Sequence, residues 1–166
     1  MADSPTDART NAADPQTGAA PGDYLRLGDH LCFAIYSAGH AFNRAYKPLL
    51  EKLGLTYPQY LVMVALWEQD DQTVGGLGAR LHLESSTLTP LIKRLETMGH
   101  VARRRDAGDE RQVRVTLTTQ GRALKQDAEP VPGCMAAATG MGLDDLRRLQ
   151  REITTLRDAL ESHAKG

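Results

Sequence analysis

The sequence predicts a mainly α-helical chain with a small β-hairpin wing: a winged helix-turn-helix framed by long flanking helices. Three observations predict it. Apolar residues recur three or four positions apart along most of the chain from Leu27 onward. The period changes to short extended stretches only in VARRRDAGDERQVRVTLT, where residues 101–105 and 112–117 read as two strands about a turn at Gly108. Positive charge gathers in the middle: residues 73–125 hold ten Lys or Arg against five Asp or Glu, a net +5 in a chain whose total is −1. A basic middle in a neutral chain suggests a polyanion-binding module between parts that do other work.

Each element follows in order. Residues 1–23, rich in Ala, Asp, Thr and Pro with no apolar period, are expected to be a disordered leader. Residues 24–166 read as a single domain, with 24–56 and 119–166 as dimerisation helices and 57–118 as the winged helix-turn-helix. In the first helix Asp29 is placed to cap, and Leu31, Ile35, Ala38, Phe42 and Tyr46 share a face until Pro48 and Gly54 end the run. Pro58 opens a second helix, and TVGGLGARLHL reads as a strand-like entry followed by a short helix. In SSTLTPLIKRLETMGH, Ser85 or Ser86 caps, Leu88, Leu91, Ile92, Leu95 and Met98 form one face, and Gly99 stops the helix. After the hairpin the helical pattern resumes at Thr118, breaks at PVPG and returns over 143–164.

Composition narrows the setting. No run of eighteen apolar residues is present, and the amino terminus has neither a basic start nor a continuous apolar stretch, so a cytoplasmic location with no membrane partner is expected. Thiols stay reduced there. Cys32 and Cys134, the two cysteines, therefore read as free thiols or a transient redox pair. His30, His40, His82, His100 and His163 share no ligand spacing with them, so neither metal nor cofactor is expected.

The fourth helix opens on Ser85, Ser86, Thr87 and Thr89, with Lys93 and Arg94 further along. Capping and a solvated face account for such residues singly. Together with Arg103, Arg104, Arg105, Arg111 and Arg114 in the hairpin they point to double-stranded DNA: hydroxyls at a helix start reach base edges or phosphates, and cations neutralise the backbone. Asp109 and Arg111 flank the turn, where the acid can orient the guanidinium for a narrow minor groove. Pro90, about a turn into this helix, costs it a hydrogen bond.

LTYPQYLVMVALWE, TLTPLIKRLETMG and DERQVRVTLTTQG resemble the MarR family of winged-helix dimeric regulators, over about residues 27–161. Within it, LCFAIYSA, AYKPLLEKLGLTYPQY and VPGCM are similar to the organic-hydroperoxide-sensing regulators, often called OhrR. The resemblance implies a homodimeric repressor, not an enzyme, that reads a pseudo-palindromic operator and leaves it when an organic hydroperoxide oxidises Cys32. Cys134 corresponds to the resolving cysteine of the two-cysteine branch, which implies an intersubunit Cys32–Cys134 disulfide. Tyr36, Tyr46 and Tyr57 match the tyrosines that attend the sensing thiol.

An isolated thiol is only about 3% thiolate at neutral pH, and peroxide attacks the thiolate, so a sensing cysteine needs donors near its sulfur. A helix start supplies amides and tyrosines supply hydroxyls. Tyr46 lies about 21 Å along a helix from Cys32, at ~1.5 Å per residue, so it can approach only the partner subunit's thiol. The alternative for Cys32 is a small buried hydrophobe, and core packing competes for each tyrosine. Cys134 follows Pro130, Pro132 and Gly133, where the helix pattern breaks, and so reads as mobile. Two other functions stay open. A thiol peroxidase would want an Arg and a Thr beside the cysteine, which GDHLCFAIYS lacks; a MarR-type repressor released by a small phenolic ligand would not need Cys32.

Overall fold

The computed structural model describes residues 25–164, so the disordered leader expected over 1–23 lies outside the described residues. The chain divides into a unit ending at Gly39 and one beginning at His40.

In the first unit a 3-10 turn, Leu27–Asp29, leads into α1, Leu31–Glu51. Asp29 does not cap α1 as expected. It sits inside the turn, and the His30 carbonyl accepts the first helical N–H groups, from Phe33 and Ala34, both at 3.1 Å. Cys32 is therefore the second residue of α1, and not the third that a cap at Asp29 implies. Leu27, Leu31, Ile35 and Tyr36 are all exposed.

In the second unit α1 continues past Pro48, which lies inside the helix and does not end it. Beyond it Leu50, Leu53 and Leu55 are buried, and that anchorage outweighs the one hydrogen bond a proline removes. Gly54, at φ +67°, makes the turn that follows. Helix α2, Tyr57–Glu68, starts as Pro58 predicts, with Gln59 Oε1 accepting the Thr56 backbone N–H at 2.8 Å and its hydroxyl at 3.0 Å.

Strand β1, Gln72–Thr73, and helix α3, Val74–Leu81, follow, and Thr73 caps α3 by accepting the Gly76 N–H. Helix α4 spans Ser85–Thr97. Its N-cap is Glu84, so Ser85 is the first helical residue and neither serine is the cap. Pro90 is tolerated inside α4 because Leu88, Ile92 and Leu95 bury one face completely while Pro90 stays exposed.

The hairpin forms as read. Strands β2, Val101–Arg105, and β3, Val113–Leu117, pair antiparallel, and β1 adds to the far side of β3, giving the order β1-β3-β2. Val115 and Leu117 face the core. Helix α5, Thr119–Ala128, is capped by Thr118, whose hydroxyl accepts the Gly121 N–H at 3.0 Å. The PVPG stretch is not a break: helix α6, Val131–Ala138, carries Pro132 in its first turn, where no N–H is needed. Helix α7, Leu143–His163, closes the described chain and buries none of its residues.

The core joins α2, α3, α4 and the sheet through Val62, Met63, Leu66, Leu77, Leu88, Ile92, Leu95, Val101 and Val115. Two close backbone approaches require glycine. A Cβ on Gly121 would lie 2.0 Å from the His100 carbonyl oxygen, and one on Gly78 would lie 2.8 Å from that of Leu83. The first contact seats α5 on the α4–β2 turn, with Trp67 Nε1 donating to the Gly121 carbonyl at 2.8 Å. The second lets the chain double back between α3 and α4, where His82 adopts φ +53°.

Candidate nucleic-acid interface and thiol sites

The buried stripe of α4 turns its other face outward: Ser85, Ser86, Thr87, Lys93 and Arg94 are exposed and Thr89 half-buried. Thr89 Oγ1 donates to the Ser85 carbonyl at 2.7 Å, which uses its proton locally and leaves the oxygen's lone pairs.

The wing turn is built on two carboxylates. Asp106 Oδ1 accepts the N–H of Gly108 at 2.8 Å and of Asp109 at 3.2 Å. Asp109 in turn accepts the Arg111 backbone N–H at 3.0 Å and the Gln112 amide at 3.1 Å. Asp109 therefore fixes Arg111 through its main chain, where the sequence reading had it holding the guanidinium. Ser85, Thr89, Arg103, Arg111 and Gln112 line one open cleft of about 350 Å³ between the start of α4 and the wing. The helix start and the wing tip thus converge on one concave, cation-edged surface.

The hairpin arginines differ in employment. Arg103 is paired with Glu96 of α4 at 2.7 Å, and Arg104 with both carboxylate oxygens of Asp71 at 3.1 Å. Arg114 holds Asp71 and Asp106, and its guanidinium keeps both carboxyls below the usual carboxylate range, helped at Asp106 first by the Gly108 N–H. Arg105, Arg111, Lys93 and Arg94 have no ion pair among the described residues. Of the described cations on α4 and the hairpin, those left without an ion pair thus lie on the wing and the outer face of α4.

Both cysteines are free and exposed. Cys32 Sγ lies 3.9 Å from His30 Nδ1. Cys134 is the fourth residue of α6, its N–H bonded to the Pro130 carbonyl at 3.0 Å, so it sits on a helix and not on the irregular segment the prolines suggested. Tyr36 is exposed. Tyr46 and Tyr57 stack with centroids 4.5 Å apart, and Tyr60 joins at 6.0 Å from Tyr46. Burial, with Tyr57 and Tyr60 adding to it, pushes the Tyr46 phenol up to about 12, and burial raises Tyr57 as well. These phenols keep their protons at neutral pH and can only donate to an anion. Sequence reasoning passed over Tyr60 as a member of this cluster; the YPQY spacing, i to i+3 on one helix face, is the signal that finds it.

No helix among the described residues is long and apolar enough to cross a membrane. The second unit exposes Phe42, Met141, Leu143, Leu149, Ile153 and Leu160, and Ala41, Phe42, Ala45, Met135, Ala138, Met141, Leu146 and Leu149 line an apolar groove of about 260 Å³.

The family model described as transcriptional regulator SarA/Rot matches residues 44–128. The chain is 47% identical over 156 residues to the HTH-type transcriptional regulator TtmR of Methylorubrum extorquens, covering 94% of this chain and 75% of that one. It is 41% identical over 138 residues to the organic hydroperoxide resistance transcriptional regulator of Bacillus subtilis, covering 83% and 94%. Among solved structures it is similar to AbfR of Staphylococcus epidermidis, at TM-score 0.69, 37% identity and coverage of 84% and 97%. Reduced AbfR bound to DNA matches at TM-score 0.68 and 36% identity over 83% of this chain and 96% of that one, and disulfide-formed AbfR at 0.56 and 34% over 87% and 96%.

Proposed function

The chain belongs to the SarA/Rot and MarR family of winged-helix transcriptional regulators, and from that premise we propose that it is a homodimeric, DNA-binding repressor that senses organic hydroperoxides through Cys32. The observation that carries the redox part is an exposed free thiol on the second residue of α1, in a chain 41% identical to a hydroperoxide-resistance regulator.

DNA recognition falls to the cleft. Ser85, Ser86, Thr87 and Thr89 enter the major groove at the start of α4, Lys93 and Arg94 neutralise phosphates, and Arg111, fixed by Asp109, reaches the minor groove. Arg104, more than half exposed beside Asp71, adds a further DNA-facing cation on the wing. Residues 57–118 form this reading head, and the apolar surfaces of 24–56 and 119–166 pair two copies into a dimer matched to a pseudo-palindromic operator.

In the switch, Cys32 thiolate attacks the hydroperoxide, giving a sulfenic acid and releasing the alcohol. Cys134 of the partner subunit then condenses with it, forming the disulfide and releasing water. Tyr36, Tyr46 and Tyr57 of the partner subunit, as phenol donors, stabilise the anion before attack. Because a disulfide requires α-carbons within about 7 Å, closing it moves the flanking helices and re-spaces the two α4 helices.

The test is a gel-shift with operator duplex, with and without cumene hydroperoxide. Wild type is expected to release DNA and Cys32→Ser to stay bound; release by both defeats the reading. A second reading, release by a phenolic ligand, is favoured by an open cleft of about 230 Å³ lined by Tyr60, Val64, Trp67 and Lys125. It predicts that a phenolate such as salicylate frees the Cys32→Ser variant from DNA.

A further inference from the structure

Arg104 and Arg114 stand directly opposite one another in the β2–β3 ladder. Like charges so placed destabilise a hairpin unless something lies between them. Asp71 does: it precedes β1 at φ +54°, a left-handed conformation that Asp tolerates better than most residues, and its carboxylate meets both guanidinium groups. Arg114 reaches further than its neighbour. Its Nε donates to Asp71 Oδ1 at 2.9 Å, its Nη2 to the Asp71 carbonyl, and its Nη1 to Asp106 Oδ2 at 3.1 Å. The other oxygen of Asp106 holds the N–H groups of Gly108 and Asp109, and Asp109 holds the N–H of Arg111. A line of bonds to carboxylates thus runs from the α2–β1 turn, through the side chains of Arg114, Asp106 and Asp109, to the backbone N–H of Arg111.

We propose that Arg114 is a positioning residue for DNA recognition, a strut that sets the wing tip over the cleft beside α4 and so aims Arg111 without touching DNA itself. The inference rests on the DNA-binding reading of α4 and the wing. Its chemistry favours a strut over a contact: the Arg114 side chain is 28% exposed and all three of its nitrogens are committed to protein acceptors. A planar guanidinium spreads its donors over three nitrogens and so spans acceptors on separate residues, whereas an ammonium carries all its donors on one.

The test uses the full-length protein, a duplex it selects from a random pool, and a random-sequence duplex, with affinities measured over a salt series. Arg114→Ala is expected to bind the selected duplex about tenfold more weakly, the loss that follows removal of a charge-assisted tie, with the wild-type salt slope. Arg114→Lys is expected to behave like Arg114→Ala, and adding Arg114→Ala to Arg111→Ala to cost little more than Arg111→Ala alone. Asp106→Asn, which keeps a backbone acceptor but loses its charge, is expected to move affinity the same way and carries the test if Arg114→Ala fails to fold. A salt slope lowered by about one unit with Lys restoring it would make Arg114 a phosphate contact and overturn the strut. So would unchanged affinity, or losses at Arg111 and Arg114 that simply add. If the wild type selects no duplex, the DNA-binding reading falls and takes the strut with it, whereas an unchanged Arg114→Ala with binding intact removes the strut alone.

Discussion

Arg111 and Lys93 carry charges with no ionic partner among the described residues, yet they ask different things of DNA. Arg111 sits on a turn held by Asp109, so its loss removes a directed contact: Arg111→Ala is expected to weaken operator binding and blur discrimination among sequences by about 1–3 kcal/mol. Lys93 projects from the exposed face of α4, so Lys93→Ala is expected to weaken all duplexes alike and flatten the salt slope by roughly one unit. Anisotropy titrations on selected and random duplexes separate the two, and no change in either variant defeats the winged-helix interface. At the other extreme of burial, His100 is 6% exposed and its Nδ1 has no partner. Burial lowers its proton affinity below the ordinary value of 6.5. The unfolded chain then binds that proton more readily than the folded one, so stability is full above about pH 6.5 and falls as pH drops toward the lowered folded value. Melting curves between pH 7 and pH 5 are expected to decline more steeply for wild type than for His100→Phe; parallel declines would exclude the histidine as the cause.

Among the elements, the hairpin was legible almost to the residue, because alternation and a glycine turn are local signals and β2 and β3 follow them. Helix α2 was legible for the same reason, its start marked by Pro58. Helix α6 was not: prolines in a first helical turn and prolines in a break are the same letters, and only the buried Val131 and Met135 decide between them. Nor could the hairpin arginines be sorted from sequence. Asp71, which pairs with Arg104 and Arg114, lies 33 and 43 residues away, so two of the five hairpin arginines carry an ion pair that no local pattern announces. The seat of α5 is equally invisible in the chain, since nothing near Gly121 announces the His100 carbonyl. Its consequence is testable: Gly121→Ala puts a methyl 2.0 Å from that oxygen, so backbone must shift. We expect a loss of about 1–3 kcal/mol in denaturant unfolding, the usual cost of overpacking, with DNA affinity retained where the variant is still folded. A variant as stable as wild type would show that the α4–β2 turn yields freely.

For the whole molecule, the question is what covers its apolar surface and what happens when it is oxidised. Helix α7 has no fully buried residue in the single chain, and Leu149, Ile153 and Leu160 are exposed along it. A soluble monomer rarely leaves so many large apolar side chains uncovered, so sedimentation is expected to find a dimer at micromolar concentration; a stable monomer would contradict both the dimer and the partner-subunit disulfide. Oxidation then divides the labour of the two thiols. Both are free in the reduced chain, and Cys134, held on α6, is exposed to a second molecule. With one equivalent of cumene hydroperoxide the wild type is expected to give a cross-linked dimer on non-reducing gels that dithiothreitol removes. Cys134→Ser should still oxidise at Cys32 but form no such band. Lacking a resolving thiol, it should hold the sulfenic acid, which dimedone traps, or with excess oxidant pass to sulfinic and sulfonic acids that dithiothreitol cannot reverse. An oxidised wild type that runs as a monomer with its disulfide inside one chain would place the two cysteines in the same subunit and replace the crossing geometry, while a Cys134→Ser variant that still cross-links would remove Cys134 from the mechanism altogether.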